Sequence, residues 1–157
     1  INGIIRVFSA FTQMEGYEDI RLLIAGRGDQ RPMLESLAAE LGVREKVEFL
    51  GFLPQTELNQ YIKTSYCFLV NTRQDLNMVS IPEAVVSGTP ILTNTQPASA
   101  GYIRANRLGI VKDPWNEYDL KKIIDENPVF VQNCIAYRDN LTNTHIARTF
   151  LEIYRNK

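Results

Sequence analysis

An α/β fold, with a parallel sheet covered by helices on both faces, is what this sequence predicts. Three observations carry it. Short apolar runs of strand length alternate with stretches of helical periodicity along the chain. The first such run, Ile20 to Ala25, is apolar apart from Arg21 and stops at Gly26, the form of a strand buried on both faces. Finally, 157 residues that are 45% apolar and 22% charged suffice for one core and argue against disorder.

Each element follows from its pattern. Ile4, Ile5, Phe8 and Phe11 recur at helical spacing, so residues 3–14 read as a helix before the strand at 20–25. Residues 30–41 form the next helix, with Met33, Leu34, Leu37, Ala38 and Leu41 on one face and Gly42 as its stop. Val47–Leu50 is a strand, 55–63 a helix, Cys67–Val70 a strand and 81–87 a helix. Pro90–Leu92 and Leu108–Val111 are further strands flanking a helix at 97–104, and helices at 117–125, 128–138 and 144–155 close the chain. Right-handed crossovers between these units give a Rossmann-like doubly wound parallel sheet. Without a repeat or linker, residues 1–157 read as one domain.

Bulk properties exclude several partners. A net charge of −1 offers no field for a phosphate backbone, which argues against nucleic acid. No apolar run is long enough to cross a bilayer, and Lys112, Lys121 and Lys122 form no basic stripe. Cys67 and Cys134 fit no metal or redox spacing and read as reduced core residues of a cytosolic protein. His145 is the lone histidine and reads as a helix residue near a cap. No metal site is expected.

In a doubly wound sheet the ligand sits beyond the carboxyl ends of the strands, here Gly26–Asp29, Gly51–Gln55, Asn71–Ser80 and Thr93–Ala98. The stretch from Asn71 to Gly88 is the most informative. Asp75 sits in a polar loop, a helix begins near Ser80, and Glu83 follows with seven residues (76–82) between the two acids. Unpaired amides at a helix start favour anions, so a diphosphate fits on Val79 and Ser80. A carboxylate beside it suits ribose or sugar hydroxyls. The same residues have a local reading: Ser80-x-x-Glu83 is a capping box, and Pro82 fits a first helical turn. Gly26 and Gly28 likewise read either as tight turns or as points where backbone approaches a ligand.

The order of these pieces resembles the C-terminal domain of family-four retaining glycosyltransferases, which have the two-Rossmann GT-B architecture. The matching segments are LLIAGRGD at 22–29, LAAELGVREKVEFLGFLP at 37–54, the acidic loop and helix, EAVVSGTPILTN at 83–94 and GIVKDPWNEYDLKKII at 109–124. The resemblance implies that Asp75 and Glu83 stand for the two acids of the family's E-x7-E motif, the first on the donor sugar and the second on the nucleotide ribose. It places the diphosphate on the amides of Val79 and Ser80, the base against the backbone near Phe52 and Leu53, and Gly26 and Gly28 in the same cleft. Two departures stand out: Leu76, Asn77 and Met78 replace the family's frequent Gly-Phe-Gly, and Asp75 is one methylene shorter than Glu.

The family's domain begins with a strand, an Arg turn and a Lys, whereas this text opens at Ile1 inside a helical pattern. The expectation is therefore a GT-B C-terminal domain lacking its first strand, with the N-terminal acceptor domain absent and the isolated chain inactive. Arg27 and Lys63 do not take the cations' roles by position. The implied reaction transfers a hexosyl unit from a UDP- or GDP-sugar to a glycan or lipid-linked acceptor with retention, without cofactor or metal. Family members often work in the cytoplasm at the inner membrane face, which implies peripheral membrane contact for a full-length protein. Three rivals remain: a nucleotide-binding or regulatory domain without catalysis, a GT-B-like nucleotide-sugar epimerase, and a Rossmann dehydrogenase. Arg31 stands where the dehydrogenase fingerprint needs its third glycine, which rejects the last.

Overall fold

The computed structural model describes residues 1–75 and 77–142. Leu76, the expected helix at 144–155 and His145 lie outside them. The chain runs α1 (Asn2–Phe11), β1 (Leu22–Ala25), α2 (Arg31–Glu40), β2 (Val47–Gly51), α3 (Gln55–Thr64) and β3 (Phe68–Val70). It continues with α4 (Ser80–Val86), β4 (Ile91–Thr93), α5 (Ala100–Ala105), β5 (Gly109–Val111), α6 (Glu117–Asp125) and α7 (Asn127–Tyr137). All the expected elements within the described residues form, with ends shifted by a few positions.

The shifts have local causes. Helix α1 stops at Phe11, short of 14, because Gln13 and Met14 donate to carbonyls three residues back and Thr12 turns its hydroxyl onto the Ser9 carbonyl. Strand β1 begins at Leu22, and only Leu22 of its residues is fully buried. Met33 was expected in the core but is 47% exposed, since the buried face of α2 is Leu34, Leu37 and Ala38.

Among the described residues the parallel strands fall into two ladders. β1 pairs parallel with β2, and β3, β4 and β5 form a separate parallel sheet with β4 in the middle. No strand among the described residues joins β1 to β3. Gly26 donates to Gly51, so Ile24 and Leu22 face β2 while Leu23 and Ala25 direct their backbone groups to an unpaired edge. Phe68 donates to Pro90, which leaves the backbone of Leu69 on the unpaired edge of β3.

Packing holds the two sheets together. Ile5, Phe8 and Phe11 of α1 share one buried cluster with Leu22 and Val47 of the first sheet, Leu92 of the second, and Leu120 and Ile123 of α6. A second cluster lies on the other face of the three-stranded sheet, where Val70 and Ile91 meet Ile81 and Val85 of α4, Ile103 of α5 and Cys134 of α7. Ile91 and Leu92 enter opposite clusters, as alternation in a strand requires. Tyr17, just beyond α1, bonds Asp125 of α6, and Lys121 reaches both, which holds the Asp125 carboxyl below its ordinary value.

Gly109 sits in β5 at φ +155°, and a Cβ there would stand 1.9 Å from the Ile91 carbonyl oxygen. Gly109→Ala is expected to lower stability by at least about 3 kcal/mol in urea titrations, because the clash is with backbone. Gly28→Ala, with open space around the position, should be close to neutral.

The two thiols yield a second test. Enclosure raises both Cys67 and Cys134 from an ordinary 9.0 to about 12. A raised thiol favours the protonated folded form, so this stability is complete below pH 9.0 and is lost as pH climbs toward 12. Urea midpoints should fall across that window, and the double Cys67→Ala/Cys134→Ala variant should flatten the fall.

Candidate functional site

Among the loops that leave the carboxyl ends of the five strands, those after β1 and β2 are locked together by glycine. Gly26 lies at φ +127° and Gly51 at φ +69°, backbone states that side chains resist, and the Gly26 amide donates to the Gly51 carbonyl at 2.7 Å. For Gly26 the tight-turn reading accounts for the glycine. Gly28 has neither a left-handed backbone nor a crowded Cβ position. The turns set Arg27 beside Phe52, with the guanidinium 5.3 Å from the ring centroid. Phe52 is 65% exposed and Leu53 is half-buried.

The loops after β3 and β4 are held by a buried amide. Asn94, directly after β4, is 4% exposed, and its Nδ2 donates to the Thr72 carbonyl at 2.6 Å and to Asn71 Oδ1 at 3.4 Å. Its Oδ1 is buried without a partner. The Trp115 indole donates to the Val70 carbonyl at 3.1 Å, fixing the end of β3 from the far side. These two side chains place the start of the acidic loop.

Within that loop Asp75 closes a turn on itself. Its amide donates to Thr72 Oγ1 at 3.0 Å, and its Oδ1 accepts from the Asn77 amide at 3.2 Å. One carboxylate oxygen is thus engaged locally. Helix α4 follows, with Val79 as the residue before it and Ser80 as its first.

The capping box expected from Ser80-x-x-Glu83 does not form. Helix α4 has no side-chain cap, because Val79 occupies the capping position in helical geometry and Ser80 is already inside the helix. Glu83 lies in the first turn, half-buried, and its carboxylate makes no hydrogen bond or ion pair among the described residues. Val79 is 68% exposed. A cavity of about 300 Å³ opens beside this helix start, between Asn77, Met78, Val79 and Pro82 on one side and Ala98, Ser99 and Tyr102 on the other. Burial raises the Tyr102 phenol.

A capping box does form where the sequence reading missed one. Asn116 accepts from the amides of Tyr118 and Asp119, and Asp119 accepts from the Asn116 amide at 2.9 Å and from Lys112 at 2.8 Å. The Asn-x-x-Asp spacing was visible in the sequence but lies outside the commoner Ser/Thr-x-x-Glu/Gln pattern. Lys112, Lys121 and Lys122 all pair with acids of their own region. Among the described residues no helix is long and apolar enough to cross a membrane.

The glycine-locked turns and the acidic loop with α4 stand as two groups, and no hydrogen bond or ring contact joins them among the described residues. Solved structures share this framework. TarM aligns over 99% of this chain and 32% of its own, with TM-score 0.80 and 16% identity. WaaG, a glycosyltransferase involved in lipopolysaccharide biosynthesis, aligns over 87% of this chain and 39% of its own, with TM-score 0.74 and 23% identity. The fold is therefore the Rossmann-like one that these two structures share.

The family model of Glycosyl transferases group 1 matches residues 2–127, and the chain belongs to that family. An uncharacterised glycosyltransferase of Methanocaldococcus jannaschii is 32% identical over 114 residues, 73% of this chain and 29% of that protein. Alpha-monoglucosyldiacylglycerol synthase of Streptococcus pneumoniae is 26% identical over 121 residues, 76% of this chain and 27% of that protein. The chain thus spans under a third of the length of these two relatives.

The Asn94 amide supplies the test of how the loop is held. Asn94→Ala removes the donor to the Thr72 carbonyl and should cost about 1–3 kcal/mol in urea titrations. Asn94→Asp keeps the size but sets an acceptor against two oxygens, and should cost more.

Proposed function

We propose that this chain is the donor-binding part of a glycosyltransferase that moves a hexosyl unit from a nucleoside diphosphate sugar, UDP- or GDP-linked, with retention of configuration. The acceptor is a glycan or a lipid-linked molecule held by another domain. The observation that carries this reading is the open start of α4. Ser80 and Glu83 have the spacing to satisfy each other and do not, so a hydroxyl and a free carboxylate remain beside the first helical turn.

Roles follow from chemistry. The amides of Val79 and Ser80 receive the diphosphate, and Glu83 accepts from the ribose hydroxyls. Asp75 has its second carboxylate oxygen available for a sugar hydroxyl, the first being engaged by Asn77. Gly26 and Gly28 border the cleft, and the backbone at Phe52 and Leu53 frames the base. During transfer the bond from the anomeric carbon to the diphosphate oxygen breaks, and the acceptor oxygen takes its place while losing its proton. Charge grows on the departing diphosphate, so positioning and hydrogen-bond donors supply the catalysis, and the scheme invokes no metal.

Relatives support the donor class. The Anabaena protein HepE, with TM-score 0.69 and 19% identity over 95% of this chain and 44% of its own, was solved in complex with UDP. The pneumococcal relative's name describes a glucosylated diacylglycerol, which supports a lipid-linked acceptor. The engagement of Asp75 by its own loop favours a second reading, a nucleotide-binding domain without catalysis.

Titrating UDP, GDP, ADP and their hexose conjugates while following backbone amide NMR shifts tests the proposal. One base should shift Val79, Ser80 and Phe52. Glu83→Ala should weaken that binding about tenfold or more, while Lys122→Ala leaves it unchanged. Equal binding by Glu83→Ala and wild type would sink the ribose role. Hexosyl transfer by the chain alone would overturn the assignment of acceptor binding to another domain.

A further inference from the structure

We infer that Asn94 is a positioning residue for the donor sugar: acting through Thr72 it sets Asp75, and so governs the sugar's share of donor binding and not the nucleotide's. This rests on the donor-site reading above, in which Asp75 meets a sugar hydroxyl and Glu83 the ribose.

A single bond accounts for Asn94. Directly after β4 it is 4% exposed, and its Nδ2 donates to the Thr72 carbonyl at 2.6 Å. Its Oδ1 is enclosed without a partner among the described residues. An unpaired buried acceptor opposes folding, so packing alone favours an apolar residue at this position. The donor side of the amide, aimed at Thr72, is what an apolar residue lacks.

From Thr72 the hold passes to the acid. The Thr72 hydroxyl oxygen accepts from the amides of Asp75 at 3.0 Å and Gln74 at 3.4 Å. The Asp75 carboxylate in turn accepts from the Asn77 amide at 3.2 Å. Arg73, Gln74, Asp75 and Asn77 are exposed and belong to neither buried cluster. Asp75 is thus placed by hydrogen bonds that lead back to Asn94 rather than by packing.

The ribose acid is anchored differently. Glu83 sits on α4, whose Ile81, Ala84 and Val85 are fully buried in the second cluster. Loss of the Asn94 bond frees the turn that carries Asp75 and leaves α4 seated. The two acids answer to different supports, so the sugar and nucleotide halves of the donor separate in a variant of Asn94.

The test titrates UDP and GDP, each with and without glucose, galactose or mannose attached, and follows backbone amide NMR shifts. The ratio of the two dissociation constants measures the sugar's share. Asn94→Ala is expected to cut that share about tenfold, the range of one hydrogen bond to a charged group, and to leave the free diphosphate bound as before. Thr72→Val removes the hydroxyl oxygen but keeps the carbonyl that Asn94 holds, and should do the same, while Thr72→Ser should retain the share. In an Asp75→Ala background Asn94→Ala should cost nothing more, a coupling that a merely structural residue does not show. Amide spectra check that each variant is folded, and if Asn94→Ala is not, the two Thr72 variants decide. An unchanged share in both Asn94→Ala and Thr72→Val overturns the inference, as does equal weakening of free diphosphate and conjugate. If the wild type gains nothing from any of the sugars while Glu83→Ala still weakens the nucleotide, the inference falls with the role of Asp75 and the nucleotide site stands. If the wild type binds no nucleotide, both readings fall.

Discussion

Everything else in this molecule depends on the burial of α1 against strands of two separate sheets. Backbone hydrogen bonds join β1 to β2 and β3 to β4 and β5, but among the described residues no ladder crosses from β1 to β3. Ile5, Phe8 and Phe11 therefore do what a ladder does in a continuous sheet, sharing one buried cluster with Leu22 and Val47 of the first sheet and Leu92 of the second. Each such side chain contributes on the order of 1.5–3 kcal/mol by leaving water. The Tyr17–Asp125–Lys121 cluster reinforces the same junction from the surface, tying the exit of α1 to α6.

On that frame two different devices set out the candidate site. Left-handed glycines and one amide–carbonyl bond place Arg27 and Phe52. A buried asparagine and an indole place the acidic loop, through carbonyls at Thr72 and Val70. The first device is backbone geometry and tolerates changes in neighbouring side chains. The second depends on two polar side chains in a nearly dry setting, where a missing partner is expensive.

The fold was legible because its signals are periodic. Apolar spacing gave α2 and α6 nearly to the residue, and short runs gave all five strands. The division of the strands into two ladders was less legible, since pairing between strands is a tertiary matter that a single strand's composition does not encode. For the site, the order of segments named the loops and the acids. It did not reveal whether Ser80 and Glu83 cap their own helix, because that turns on whether residue 79 or residue 80 occupies the capping position. Asn94 was invisible for a different reason: its importance comes from burial opposite Thr72, and distant partners leave no local pattern.

The uncapped start of α4 has a consequence for how the molecule behaves in a mixture. A helix end that its own residues leave open forgoes about 1 kcal/mol that a cap would add. Whatever occupies that end restores the difference, and a ligand that binds the folded chain alone stabilises it in proportion to the logarithm of its concentration. Folding and occupancy are then linked quantities at the junction of β3 and α4. On the donor-site reading proposed above, the cooperative melt of the chain becomes a gauge of how full the site is, and a solution rich in the nucleotide sugar holds a measurably sturdier protein than one without it.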